Sequence, residues 1–132
     1  MNVAELVRHP AQLIHVETVR FSAEKKSQTV SREFNVEAST EGESIDENTG
    51  KSHIRIKVYN DDFWVEEEKI GVFQFEDKSM DPQTAVRFME VQGLRILWSY
   101  VREDLYSITA KMLEVPVMLP TIDVMQTVEK AK

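Results

Sequence analysis

Residues 94–112 read LRILWSYVREDLYSITAKM, and within them Leu94, Leu97, Trp98, Val101, Leu105, Ile108 and Met112 recur at steps of three and four. That spacing draws one stripe along an amphipathic helix, while Arg95, Ser99, Arg102, Glu103 and Lys111 fall largely away from it. Upstream the period is two. Phe34, Val36 and Ala38 alternate with Asn35, Glu37 and Ser39, and Ile54, Ile56 and Val58 alternate with Arg55, Lys57 and Tyr59. Alternation puts one set on a buried face and the other on a wetter one, as in a strand. Strands first and helices last, without βαβ alternation, means an α+β fold; short turns between the strands mean an antiparallel sheet.

Turn residues set the boundaries. Glu41 to Lys51 (EGESIDENTGK) is polar, with Gly42 and Asn48-Thr49-Gly50 as turn signals, and predicts a hairpin with an extended, solvated tip. Asn60-Asp61-Asp62 marks a second turn, followed by a fourth strand over residues 63–75. Asp81-Pro82 is a helix cap followed by proline at the first helical position, so a short helix is expected over 82–92, stopping at Gly93. Pro116 ends the long helix, since proline disfavours helical backbone in the residue before it. Val117-Met118-Leu119 then runs extended, and Pro120-Thr121 opens a last helix through Ile122, Met125 and Val128. The chain reads as one domain over residues 1–132, with a sheet in 11–77, helices in 81–131 and an extended crossing at 115–120.

Two strands break the alternation. In residues 13–21, Ile14 and Val16 share one parity, Val19 and Phe21 the other. A bulge near Glu17-Thr18 would reconcile them, because one extra residue flips every later side chain. The fourth strand switches between Val65 and Ile70/Val72, with Glu66-Glu67-Glu68 between. The other explanation is a strand with two apolar faces, whose second face meets helices or another subunit.

Composition bounds the function. Sixteen basic against 23 acidic residues among 132 give a net charge of −7, which opposes binding to nucleic-acid phosphate. There is no cysteine, which excludes disulfides and thiolate metal sites and suits a reducing, cytoplasmic setting. Residues 1–10 carry Glu5 and Arg8 and hold no apolar core of signal-peptide length. No apolar run approaches the roughly 18 residues of a membrane helix, so no membrane insertion is expected.

Chemistry-bearing motifs are sparse. His9, His15 and His53 stand singly, without the spacing of a helical metal pair, and four glycines include no phosphate-cradling loop. Asp46-Glu47-Asn48-Thr49-Gly50 resembles part of a calcium loop but lacks the later glutamate. Glu66-Glu67-Glu68 offers carboxylates, yet Glu67 points opposite to its neighbours in a strand, so the three cannot converge. The expectation is therefore no catalytic site, no metal and no cofactor. What remains is apolar: Phe63-Trp64, Phe73/Phe75, Phe88-Met89, and methionines at 80, 89, 112, 118 and 125. Methionine suits surfaces that accept varied partners. An extended apolar run between helices is poor core material, so residues 112–125 are expected to lie over a groove open to a polypeptide.

Residues 93–125 (GLRILWSYVREDLYSITAKMLEVPVMLPTIDVM) resemble the helix, extended crossing and second helix of the SecB family of export chaperones. The likeness lies in the apolar–aromatic–Tyr–x–Arg–Glu helix core, the apolar run after it and the proline leading into the last helix. Strands near Ile14, Phe34, Ile54 and Val72 fit that family's sheet in order, so the resemblance spans residues 11–128. It implies a four-stranded antiparallel sheet with C-terminal helices packed on one face, assembled as a homodimer or homotetramer. It also implies ATP-independent holding of unfolded polypeptide in an apolar groove. Position by position, Phe34, Phe88, Met89, Val117, Met118, Leu119, Ile122 and Met125 become groove candidates, with Trp98 and Leu105 in the core or a subunit interface. The implied partners are unfolded clients, the SecA motor or an antitoxin. Two positions that are acidic in motor-coupled members are Thr18 and Ser22 here; Glu66 fits a third and is the candidate motor contact. The sequence also ends at Glu129-Lys130-Ala131-Lys132 without the longer tail of those members. The competing reading is a dedicated interaction protein with a single partner.

Overall fold

The computed structural model describes residues 10–27, 33–76 and 81–130. His9, Met80 and the side chain of Val128 lie outside the described residues. Four strands, β1 (Ala11–Lys25), β2 (Asn35–Asp46), β3 (Thr49–Tyr59) and β4 (Phe63–Phe75), form one antiparallel sheet in the order β1-β4-β3-β2. The helices follow: α1 (Pro82–Phe88), a π turn (Met89–Gly93), α2 (Leu94–Met112) and α3 (Val124–Lys130).

The expected polar tip is mostly strand. β2 runs to Asp46 and β3 starts at Thr49, so the turn needs only Glu47 and Asn48, and the Asp46 carboxylate accepts from the Asn48 N–H at 3.0 Å. Polar residues are tolerated there because much of β2 is open to water. At the next turn Asn60 Oδ1 accepts from the N–H groups of Asp62 and Phe63 at 2.7 and 3.1 Å.

The parity switches resolve differently in the two strands. β1 has two irregularities against β4, between Leu13 and His15 and between Thr18 and Arg20. The extra residues are Ile14 and Val19, one on each side of the expected Glu17-Thr18 position, and both are exposed. Between them, Val16 pairs with Gly71, and after the second, Phe21 pairs with Glu67, so both share a face. β4 is unbroken against β3. It is the two-faced strand: Phe63, Val65, Gly71, Phe73 and Phe75 are buried on one face, and Trp64, Ile70 and Val72 are half-buried on the other.

The helices cover the first of these faces. Ile54, Ile56, Val58, Phe63 and Val65 meet Leu94, Leu97, Trp98, Val101 and Leu105 of the long-helix stripe in the main core. Each such side chain contributes about 1.5–3 kcal/mol on burial. Phe73, Phe75, Ala85 and Met89 form a second cluster under α1.

Gly93 does not stop a helix. Its φ of −61° and ψ of −44° are helical, and the chain passes from α1 through the π turn into α2. Glycine is needed there for proximity, since a Cβ at Gly93 would collide with the Ser52 hydroxyl. Gly42 is equally constrained: a Cβ would come 2.8 Å from that of Met89. The Ser52 hydroxyl donates to the Met89 carbonyl at 2.8 Å, fastening the π turn to β3. α3 begins at Val124, later than Pro120-Thr121, with the Asp123 carboxylate accepting from the Gln126 N–H at 3.0 Å.

Candidate polypeptide-binding surface

Between α2 and α3 the chain bends at residues 113–115 and then runs through 116–123 without a strand partner. Leu113, Val117, Leu119 and Val124 are buried, while Val115 and Met118 point outward. The expectation that this run is poor core material is therefore corrected: strand-like alternation over residues 117–119 turns Val117 and Leu119 into the core and Met118 out. An extended segment outside a sheet must find other partners for its backbone. α2 supplies them. Thr109 Oγ1 accepts from the Val117 N–H at 2.8 Å and itself donates to the Leu105 carbonyl at 2.6 Å. Trp98 Nε1 donates to the Pro120 carbonyl and Arg102 Nε to the Leu119 carbonyl, both at 3.0 Å.

A cleft of about 480 Å³ opens beside α1 and the π turn, closed on another side by α3. Phe88, Val91 and Met125 supply its apolar wall; Asp81, Gln83, Thr84, Arg87 and Gln92 make a polar rim. Phe88 is held rigidly, edge-on to Phe73 and Phe75 with ring centroids 5.9 and 5.6 Å away. Arg87 reaches Glu90 at 3.7 Å and Glu129 on α3 at 4.0 Å, linking the two sides. The Asp81 carboxylate caps α1, accepting from the Gln83 N–H and the Thr84 hydroxyl.

The groove candidates separate into four groups. Phe88 and Met125 line one cleft. Phe34 and Ile122 are half-buried at the border of the main core. Met118, 65 % exposed, stands on the outside of the crossing, as Val115 does. Met89, Val117 and Leu119 are buried at 0, 4 and 1 % exposure, so in this chain they support the surface from beneath. Val91 and Arg87 were missed in the sequence, since neither stands out from the helical pattern.

The opposite face of the sheet is a mesh of charges. β3 places Lys51, His53 and Lys57 opposite Glu43, Glu41 and Glu37 of β2, and Arg55 and Lys57 opposite Glu68 and Glu66 of β4. Lys51 pairs with Glu43 at 3.1 Å, and His53 and Arg55 meet Glu68 at 2.7 and 3.4 Å. The hydrogen bond with His53, assisted by Arg55, holds the Glu68 carboxyl below its usual range. Glu66 lies between Arg20 at 3.4 Å and Lys57 at 3.9 Å. Ser22 pairs with Glu66 across β1 and β4, whereas Thr18 faces the helices opposite Lys69. A shallow trough of about 580 Å³, bordered by Arg20, Arg55, Lys57, Glu37, Glu66 and Glu68, runs over this mesh. Among the described residues no group of three or more His, Cys, Asp or Glu is placed to hold a metal ion, and no helix is long and apolar enough to cross a membrane.

No protein-family model and no curated protein matches the sequence. Solved structures do match. A SecB-like chaperone of Mycobacterium tuberculosis, solved in complex with a ChAD peptide from the HigA1 antitoxin, aligns with a TM-score of 0.67 at 16 % identity, over 86 % of this chain and 88 % of that one. A Streptococcus agalactiae protein of unknown function aligns with a TM-score of 0.52 at 13 % identity, over 84 % of this chain and 97 % of that one. At such identities the shared property is the path of the backbone. With its four-stranded antiparallel sheet followed by the long helix, this chain has the SecB-like fold.

Proposed function

We propose that this chain is an ATP-independent holdase that keeps unfolded or partly folded polypeptide on the surface built from the α1–α3 cleft and the outside of the crossing. The observation that carries the reading is the cleft itself, with rigid Phe88 and exposed Met125 on one apolar wall inside a polar rim. Apolar client side chains gain roughly 25 cal/mol per Å² buried there, and rim groups satisfy the client backbone. The fold adds support, since the M. tuberculosis chaperone that shares it was solved with an antitoxin peptide. An antitoxin segment is accordingly the client class placed first, in a cytoplasmic homodimer or homotetramer. Delivery to the SecA motor through Glu66 stands lower, because Arg20 and Lys57 already neutralise that carboxylate.

The test is suppression of aggregation of a chemically unfolded client by the double variant Met118→Asp, Met125→Asp. Both side chains are exposed, so far-UV circular dichroism should stay unchanged while protection is lost. Full protection by the folded variant sinks the surface assignment. That the solved complex holds a peptide from one named antitoxin favours a second reading, a dedicated single-partner protein. Capture of one stoichiometric partner, against a broad set of clients, separates the two.

A further inference from the structure

On the helix-facing side of β4, Val65 and Gly71 are separated by two charged residues, Glu67 and Lys69, only 2 and 5 % exposed. Asp104 of α2 comes down onto them, its Oδ2 lying 2.6 Å from Lys69 Nζ, and the Tyr100 ring lies 5.8 Å from the same nitrogen. Glu67 Oε1 and Asp104 Oδ2 are both out of water, and neither makes a hydrogen bond of good geometry, although Lys69 is ion-paired with the second. The flanking strands add no charge. β1 places Thr18 and Phe21 opposite Lys69 and Glu67, and β3 places Ile54 and Ile56 there. With Lys69 already paired to Asp104, whose side chain is 34 % exposed, an ionised Glu67 would be a buried charge without a partner of its own, which a protein interior tolerates poorly.

We propose that Glu67 keeps its proton and donates it to the Asp104 carboxylate, that Lys69 balances the charge on Asp104, and that this neutral triad is a clasp fastening α2 to the sheet, opened when the Glu67 proton leaves to solvent. Two facing carboxyl groups satisfy one another when one of them is protonated, which accounts for both orphaned oxygens at once. Burial is the main cause that pushes the Glu67 carboxyl up to about 8, the Asp104 carboxyl adds to it and Lys69 opposes it. α2 is also the element whose Trp98, Arg102 and Thr109 hold the crossing, so a helix loosened at Asp104 loosens the crossing's anchor.

The sign of the pH dependence follows. An unfolded glutamate releases its proton near its ordinary value of 4.5, while the folded one keeps it to about 8. Between those values the native state binds the extra proton, so raising the pH favours unfolding; above about 8 the effect levels off. The experiment is urea unfolding from pH 5 to 9.5 on the intact chain and on Glu67→Gln, whose amide supplies a permanent donor to Asp104. The ratio of unfolding constants, intact chain over variant, is expected to climb with pH, approaching tenfold per unit at its steepest. Should Glu67→Gln not fold, Glu67→Leu, which removes the titrating group altogether, supplies the reference profile. Amide exchange, corrected for its intrinsic pH dependence, locates the effect: α2 should open faster at pH 9 than at pH 7 in the intact chain and not in the variant. Parallel stability profiles, or an acceleration spread evenly over the molecule, would overturn the clasp. None of these readouts involves a client, so they stand apart from the holdase test.

Discussion

The Ser52–Gly93 contact decides the sign of a substitution that propensity alone would misjudge. Alanine in a helix is worth about 1 kcal/mol over glycine. At Gly93, however, the added methyl would press into the Ser52 hydroxyl that holds the Met89 carbonyl. Gly93→Ala is expected to destabilise by about 1–3 kcal/mol, the usual cost of overpacking. Ser52→Ala removes the clashing oxygen, so the alanine should cost less in that background. Calorimetric or urea-derived stabilities of the four proteins read this coupling, and additive costs would mean the contact is not what limits position 93. The same residue marks a boundary of legibility. A glycine after a short helical pattern reads as a terminator, and only the sheet facing it reveals a need for closeness. Glu67 was similarly half-legible: alternation correctly set it opposite Glu66 and Glu68, yet Asp104, 37 positions further along the chain, could not be inferred as its neighbour.

At the scale of elements, the long helix was the most legible. Its stripe contains no strand-like alternation, and Leu94, Leu97, Trp98, Val101 and Leu105 are buried as the spacing requires. β1 and β4 were less so, because a parity switch has two causes that look alike in sequence. A bulge absorbs it in β1, and use of both faces absorbs it in β4. The crossing was legible as extended and illegible as core, since its support is the Thr109 hydroxyl and not an apolar pattern. Thr109→Val keeps the shape, strands the buried Val117 N–H and is expected to cost about 2 kcal/mol, lowering Tm by several degrees. Thr109→Ser should retain most of that stability. Equal Tm values for the valine variant and the parent chain would show that the crossing does not depend on this bond.

For the whole molecule, stability should be graded from the middle of the sheet outward. β3 and β4 are central, hydrogen-bonded on both sides and buried on one face. β2 is an edge whose first seven residues are all exposed. Native-state hydrogen exchange should therefore find its slowest amides in β3, β4 and α2, and its fast ones in the first half of β2. Slow exchange throughout β2 in dilute solution would mean that another chain covers it. This open half of β2 lies beside the main core, where Phe34 is half-buried. The sequence indicated the order of layers and the covered face, because both follow from local periodicity. Which apolar side chains stay at the surface did not, because that depends on how far the helices reach.

The crossing has one more implication. Val117, Met118 and Leu119 are an extended apolar tripeptide between prolines that cannot extend a sheet; alternate side chains sink inward while an indole, a guanidinium and a hydroxyl grip the main chain. In molecular terms this is a captured ligand that happens to be covalently attached. The scaffold thus displays, on its own sequence, the contacts by which an extended main chain is held without a strand partner.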